Sequence, residues 1–599
     1  MRFALGCVVA ASLLSAQDGP TLYDRTCASC HNGGNDRAPS RDALRSMSAD
    51  RVLVAMETGP MISMAVRLTT ADRRAIAEFV SGKPIGQPLV TTPPAKAMCP
   101  GAPGPLRFDG AVWTGWGGDA SNTRFQNTAG IAAADVSRLK VKWAFAFPGD
   151  IQAYSQPTIA GGRVFVGSPG GKVYSLDAKT GCVHWFFEAE AGVRSAVTLA
   201  NNAAFFGDAK ANVYAVNAST GKQLWKVKAD AFPVAGITGS PVFHNGRIYI
   251  GIRSGEEAAG ADPKYECCRF RGSVVALDGL TGKQVWKTYL VDEPKRTIKN
   301  KAGAQLWAPS GVAVWSTPAI DARRNVIYVT TGNNYTDPAT RLSDAFVALD
   351  SNSGKILWSR QMTPKDAYTS ACRLPDKTNC AESNGPDFDF GSSPILVTLA
   401  NGKRALVAGQ KSGVVWAVDP DNQGEVLWQT RVAKGGTAGG VQWGSAVDQN
   451  NVYVAVSDIG RIMLTYTTST DADPKQGGGM FALRLDNGEK VWYTPPEPCG
   501  NRPRCSPAQS AAVSAIPGVV FSGSVDGHLR AYATAGGKVV WDFDTAQTFD
   551  TVNGVAGHGG SLDGPGAAIA GGMLFVNSGY PTGGGQPGNV LLAFSVDGK

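Results

Sequence analysis

Near the N-terminus, Cys27-Ala28-Ser29-Cys30-His31 sets two thiols three positions apart, with an imidazole directly after the second. That spacing lets both sulfurs attach a haem through its vinyl groups while His31 gives iron a proximal nitrogen. A C-x-x-C-H run alone also fits zinc, but here it follows an export-like segment, opens a small domain and has methionines downstream, so haem c is the reading. A thioether is expected as sixth ligand, from Met61 or Met64 in ETGPMISMAVRLT, ahead of a final helix expected to include residues 71–80. Much further along, Glu256, Glu257, Asn333, Asn334, Asp387 and Asp389 are hard oxygen donors. They favour Ca2+ over zinc or copper, which would call for His or Cys clusters. Cys267 and Cys268 are adjacent, either as two free thiols or as an eight-membered disulfide ring, and the ring is the expectation.

The elements that must position these groups come from a repeat. Seven times a glycine is followed four residues later by a tryptophan, at Gly181/Trp185, Gly221/Trp225, Gly282/Trp286, Gly354/Trp358, Gly424/Trp428, Gly488/Trp492 and Gly537/Trp541. Strands such as VYSLDAKTG and VVALDGLTG precede most of them, so each repeat reads as strand, tight glycine turn and tryptophan strand, the pattern of a propeller blade. Trp143 lacks such a strand before it, while VLLAFSVDG at the C-terminus lacks a following tryptophan. The two ends therefore complete one blade, and the fold class is an all-β propeller of eight blades behind a small all-α domain. Repeat tryptophans are 42 and 40 residues apart in the first blades but 61, 72, 70 and 64 apart from Trp225 to Trp492. Those longer intervals hold every hard donor and the cysteine pair, as expected of loops that build a site on one face of a ring.

Composition sets the compartment. The opening MRFALGCVVAASLLSAQ has Arg2, a short apolar run and small residues near Ser15 and Ala16, which reads as a cleaved signal peptide over 1–17 that removes Cys7. No later segment is apolar for long enough to span a bilayer, so the mature chain is expected in a periplasm without a transmembrane segment. Eight cysteines beyond the haem motif suit an oxidising compartment, with Cys372/Cys380 and Cys499/Cys505 as local staples and Cys99/Cys182 remaining by elimination. The net charge of +8 is dispersed, which offers no nucleic-acid motif but suits docking to an acidic redox partner. The expected domains are 18–83 for the cytochrome c domain, 84–105 for a Pro/Gly/Ala-rich linker and 106–599 for the propeller.

SGEE at 254–257, VWSTPAIDARRNVIYVTTGN, DFDFGSSPILV and LVAGQKSGVVWAVD, taken with the repeats, resemble the pyrroloquinoline quinone (PQQ) dependent quinohaemoprotein alcohol dehydrogenases. The resemblance covers the mature chain and implies PQQ, Ca2+ and haem c as cofactors. It implies Glu257, Asn333 and Asp387 as Ca2+ ligands, with Asp387 also the general base; Asp389, two residues on and on the same face if the segment is a strand, is the fallback base. Trp315 is implied as the floor under the quinone ring, and Lys411 as the cation beside its ortho-quinone oxygens. Arg194 and Thr238 resemble residues that bind PQQ carboxylates, and the segment around Met61 resembles c-type cytochromes in which a G-x-M precedes the last helix. One departure is plain: Cys267 follows Glu257 by ten residues, whereas the family's adjacent cysteines precede that segment by one to two blades. Cys267 and Cys268 are still expected to cap the cofactor opposite Trp315.

The implied reaction is hydride transfer from an alcohol, with Asp387 taking the hydroxyl proton, and electrons leaving through the haem to an external acceptor such as a soluble cytochrome. A secondary alcohol, including a polymeric one, is the expected substrate; a sugar or an aromatic or primary alcohol is the alternative. A non-enzymatic propeller scaffold is the remote one. Another hard cation in place of Ca2+ remains open at this point.

Overall fold

The computed structural model describes residues 18–32, 38–45, 47–57, 61–65, 68–86, 92–101, 103–108, 110–463, 470–500, 505–581 and 585–598. The expected signal peptide over 1–17, Cys7 included, lies outside them. The chain divides into two compact units, Met1–Asn35 with Pro39–Leu89 and Asp36–Ala38 with Val90–Lys599.

In the smaller unit the longest helix, Thr70–Ser81, covers the helix expected over 71–80. Thr69 and Asp72 form a reciprocal capping box at its start, and Gly82 at φ 64° ends it in the left-handed region. It packs on Gly19–Thr26, where a Cβ on Gly19 would lie 2.4 Å from the Ala75 carbonyl oxygen. Only glycine lets the two helices come so close. Leu22, Tyr23, Leu53, Ile76 and Val80 are buried.

The larger unit is an eight-bladed propeller. Seven blades are antiparallel meanders over 158–188, 198–228, 235–289, 319–361, 395–431, 446–494 and 514–544. The eighth joins three strands from 568–595 to Lys140–Ala146, with Trp143 opposite Ala593. The ends of the propeller chain thus close the ring as the repeat predicts. Beside each blade's tryptophan the pairing slips, as between Ala215 and Val216 where Ala215 faces Trp225. These bulges add twist to the outermost strand.

The repeat spacing has its explanation between blades. Each glycine turn sits at φ 72° to 75°, against the tryptophan of the preceding blade. A Cβ on Gly221 would lie 2.8 Å from the Trp185 ring, and one on Gly488 would lie 2.5 Å from the Trp428 ring. Indole N–H groups donate across the same seam, from Trp185 to the Ala218 carbonyl at 3.1 Å and from Trp428 to the Leu485 carbonyl at 3.0 Å. Trp541 donates to the Leu139 carbonyl at 3.1 Å, just ahead of the closing strand.

A second device binds the blades together. Residues 113–129 hydrogen-bond in turn to the first strands of six blades, with partners Ile159, Leu199, Ile320, Leu396, Val447 and Ala515, and to Gly572 in the turn after Ala568–Ala570. So short a segment reaches that many blades only where they converge, so the first strands face the ring axis. Arg124 is fully buried there over Trp113 and Trp116, donating to the Val513 and Trp116 carbonyls. Within the stretch expected as linker, residues from Ala95 onward are tied to the first blade through Ala95–Ala97 and the Cys99–Cys182 disulfide. Cys267–Cys268, Cys372–Cys380 and Cys499–Cys505 form as expected, and Cys27 and Cys30 are free. Among the described residues no helix is long and apolar enough to cross a membrane.

Gly488 and Gly246 share φ 74°, but a Cβ on Gly246 meets nothing within 4 Å. Both alanine variants carry the left-handed backbone cost of about 1–2 kcal/mol. Gly488→Ala must also displace the Trp428 ring, at a further ~1–3 kcal/mol. Its unfolding midpoint, followed by circular dichroism, is expected below that of Gly246→Ala; equal midpoints would remove the docking argument.

Candidate active site

The strand Arg247–Ser254 runs out into the SGEE segment, and the two glutamates separate there. Glu256 is fully buried and accepts N–H bonds from Arg269 at 2.8 Å and Phe270 at 2.7 Å, with hydroxyl bonds from Tyr265 and Ser310. Its carboxylate therefore fastens the loop that carries Cys267 and Cys268. Glu257 accepts no hydrogen bond from the described residues and lines a cavity of about 210 Å³. Burial pushes its pKa up to about 7, helped by the charge of Asp389 and opposed by Lys411 and Arg373.

Asn333 and Asn334 divide in the same way. Asn334 is spent on structure, donating to the Ser310 carbonyl at 2.9 Å and accepting from the Thr340 N–H at 2.7 Å. Asn333 donates its amide N–H groups to the Asn334 and Tyr368 carbonyls, which leaves Oδ1 for the cavity it lines.

Asp387 and Asp389 meet on one cation. Lys411 Nζ donates to Asp387 Oδ1 at 2.9 Å and to Asp389 Oδ2 at 2.9 Å. The Asn333 N–H binds the other oxygen of Asp389 at 2.6 Å. Burial drives the Asp387 pKa upward against the pull of Lys411. Lys411 is likewise buried, which disfavours its charge, but the carboxylates of Asp387, Asp389 and Glu257 raise its pKa above the ordinary lysine range. Asp387 sits at φ 61°, held by Asp366, which accepts its N–H at 3.2 Å and that of Phe388 at 2.7 Å. From the loop closed by Cys372–Cys380, Arg373 reaches Asp387 Oδ2 at 3.4 Å.

Trp315 forms a flat wall of the cavity. A Cβ on Gly391 would lie 2.2 Å from its ring, so the indole rests on bare backbone. Lys411 Nζ stands 5.4 Å from the ring centroid, and Trp443 meets the ring edge-on at 5.4 Å. Arg194, Thr238 and Arg253 line the same cavity. Arg194 donates to the Tyr580 hydroxyl at 2.7 Å and lies 4.4 Å over Trp443.

One cavity thus gathers Arg194, Thr238, Glu257, Trp315, Asn333, Lys411 and Asp389, with Asp387 behind Lys411. Cys267 and Cys268 are not among its lining residues; their disulfide is buried in the core cluster against which Trp315 packs. Sequence reasoning missed Arg253, Trp443, Asp366 and Arg373. Trp443 falls outside the glycine–tryptophan register, and a tally of off-register tryptophans finds it. Arg253 directly precedes SGEE, where its charge was readable but its direction was not.

In the smaller unit, Cys27, Cys30 and His31 lie on one helical turn, His31 N–H bonding the Cys27 carbonyl at 3.0 Å. His31 is buried with Nδ1 2.8 Å from the Pro39 carbonyl oxygen, which fixes Nδ1 as the protonated nitrogen and leaves Nε2 as a lone-pair donor. Burial lowers its pKa. Met61 directly precedes the short helix Ile62–Ala65, which includes Met64.

A family model described as outer membrane protein assembly factor BamB matches residues 128–364, less than half of the chain and short of Asp387 and Lys411. The fold is similar to quinohemoprotein alcohol dehydrogenase from Comamonas testosteroni, with a TM-score of 0.58, 19% identity, and 82% of this chain and 81% of that one covered. Along its sequence, the chain is 44% identical to a polyvinylalcohol dehydrogenase of Pseudomonas sp over 100% of its own length and 98% of the relative's. It belongs to the PQQ-dependent quinohaemoprotein alcohol dehydrogenase family. A second polyvinylalcohol dehydrogenase, from Sphingopyxis sp. (strain 113P3), is 41% identical over 97% of this chain and 93% of its own.

The split between the glutamates is testable in protein stripped of metal and cofactor. Glu256→Gln is expected to lower the thermal midpoint, since hydrogen bonds to a buried carboxylate contribute about 1.5–3 kcal/mol each. Glu257→Gln removes a carboxylate that has no donor and is expected to leave the midpoint unchanged or higher. The reverse order in scanning calorimetry would contradict the assignment.

Proposed function

We propose that the protein oxidises an alcohol in the periplasm by hydride transfer to PQQ bound with Ca2+, the electrons passing to a haem c on the same chain and then to an external acceptor. The observation that carries this reading is Glu257, a desolvated carboxylate without a hydrogen-bond donor, sharing its cavity with the open oxygen of Asn333, the face of Trp315 and the cation of Lys411. Among the described residues no cluster of three or more His, Cys, Asp or Glu side chains converges as a metal cage. A hard cation at Glu257 and Asn333, with Asp387 as the further expected ligand, would therefore need oxygen ligands from its cofactor, which fits an ortho-quinone. In the smaller unit, two free thiols and a histidine with Nε2 available fit a covalent haem, with Met61 the proposed sixth ligand and Met64 its alternative.

Bound there, PQQ and Ca2+ would supply a two-electron hydride acceptor, and haem c on Cys27 and Cys30 a one-electron relay. The chain's own residues do the rest. Trp315 offers a flat surface to an aromatic ring, while Arg194 and Thr238 meet anionic groups. Asp387 is the base that takes the alcohol's proton on a carboxylate oxygen; Asp389, fixed by the Asn333 N–H, orients a proposed metal ligand. Lys411 holds both acids in place and stabilises negative charge that develops on oxygen nearby. Burial keeps water from this group, which strengthens each of those interactions.

The domain reading is a signal peptide over 1–17, a cytochrome c domain over 18–83, a linker over 84–105 and the propeller over 106–599. Four disulfides support an exported, oxidising location. Similarity over the full length to polyvinylalcohol dehydrogenases supports a secondary alcohol, polymeric or small, as the substrate.

Holoprotein reconstituted with PQQ and Ca2+ is expected to reduce its own haem, read from the absorption bands, on addition of polyvinyl alcohol or a small secondary alcohol. Faster reduction by aldoses or primary alcohols would move the substrate class, and silence with every alcohol despite bound PQQ would overturn the enzymatic reading. Asp387→Asn is expected to keep the fold and haem spectrum while slowing haem reduction by roughly 10²–10⁴-fold, the usual contribution of a general base. Normal turnover in that variant would transfer the role to Asp389.

A further inference from the structure

Arg253 stands where no motif of the sequence placed a functional residue. It is the penultimate residue of the strand Arg247–Ser254 and pairs with Gly236 of the two-residue strand Ala235–Gly236. Its side chain turns into the cavity lined by Glu257 and Trp315. There the guanidinium lies against bare backbone: a Cβ on Gly236 would be 2.7 Å from Cζ and 2.8 Å from Nη2. Nε donates to Thr238 Oγ1 at 3.1 Å. Backbone on one side and a hydroxyl at Nε hold the group in place and leave Nη1 and Nη2 without a protein acceptor among the described residues.

The charge is equally unanswered. Among the described residues Arg253 forms no ion pair, while Arg194 has the charge of Asp563 nearby, itself held by the Trp443 N–H. Burial and the neighbouring Arg194 both depress the Arg253 pKa, so the fold keeps two like charges close together in a desolvated space. Glu257 is answered by a different set, Lys411 and Arg373. Arg253 is therefore a buried cation that forms no ion pair among the described residues and faces a cavity open to an anionic ligand.

We propose that Arg253 and Thr238 form a second carboxylate clamp for the quinone cofactor, separate from Arg194. This rests on the reading that the cavity binds PQQ, a planar molecule with three carboxylates. A guanidinium with two free terminal nitrogens binds one carboxylate through two parallel N–H bonds, a geometry that lysine cannot reproduce. Thr238 joins the clamp because its oxygen accepts the Arg253 Nε–H, which frees its own hydroxyl hydrogen for the ligand. Arg194, seated on Trp443 and bonded to Tyr580, meets a different carboxylate. The two arginines then divide the anionic charge of one ligand, and their mutual repulsion in the empty protein turns into shared attraction when it binds.

The test is PQQ binding to Ca2+-loaded, PQQ-free protein, followed by quenching of tryptophan fluorescence, for wild type, Arg253→Gln and Arg253→Lys. Loss of one partner of a buried, hydrogen-bonded charge pair is expected to weaken PQQ binding of Arg253→Gln by about 30-fold or more, with a shallower salt dependence. Arg253→Lys keeps the charge but not the fork, and its affinity is expected between the two. The PQQ-free Arg253→Gln protein is expected to unfold at or above the wild-type midpoint, because it loses an unpaired buried charge; a merely structural arginine would lower that midpoint. Wild-type affinity in Arg253→Gln, or a loss of affinity that accompanies a lowered midpoint, overturns the clamp while leaving the PQQ reading intact. No binding of PQQ by the wild type overturns both.

Discussion

The seam between neighbouring blades, an indole laid on a glycine turn, is the contact on which this structure depends. It fixes two things together. The ring must sit where a side chain would otherwise be, so the turn has to be glycine in the left-handed region, and the indole N–H must find a carbonyl of the next blade, as Trp185 does at Ala218 and Trp428 at Leu485. The blade spacing is thereby set at the ring's outer side, away from the first strands. The inner face is left free to vary in the loops that lead into and out of each blade. Loops between Trp225 and Trp492 are consequently long without disturbing the pitch of the ring, and they carry the cavity.

Inside that cavity the chemistry is arranged by neighbouring residues with unlike duties. Glu256 fastens a loop while Glu257 is left without a donor; Asn334 ties two segments while Asn333 keeps an oxygen free; Asp389 grips the Asn333 backbone while Asp387 is held between Lys411 and Arg373. In each pair one member uses up its polar capacity on the protein, which holds its neighbour in position. A group positioned this way reorganises little when charge develops beside it. Asp344 lies deeper, with neither carboxylate oxygen hydrogen-bonded among the described residues, and burial together with Asp366 raises its pKa well above the ordinary range.

The fold was legible because its repeat has a physical cause that acts residue by residue. Gly–Trp spacing, strand alternation and the two incomplete ends led to eight blades and to the blade that joins both ends. Most proposed site residues were legible too, since Glu257, Trp315, Asn333 and Lys411 sit in ordered segments between known blades, and they reach one cavity. What stayed hidden depends on side-chain direction. Arg253 and the residue before it differ only in which face of a strand they take, and short flanking strands leave that phase unset in the sequence. The anchoring of the Cys267–Cys268 loop was hidden too: Glu256 accepts the Phe270 N–H from that loop and a hydroxyl bond from Ser310, a contact across 54 residues that no local pattern records.

The eighth blade has a consequence in time. Its outer strand, Lys140–Ala146, is synthesised early, and its partner Val590–Ser595 comes after the other described strands of the ring. Until that partner arrives, the ring has two open edges, each with unpaired backbone groups able to join a neighbouring chain. A contact of such sequence separation forms slowly, because the intervening loop must close before anything rewards it. The clasp that makes the finished ring free of edges therefore leaves the nascent chain exposed until Val590–Ser595 is in place.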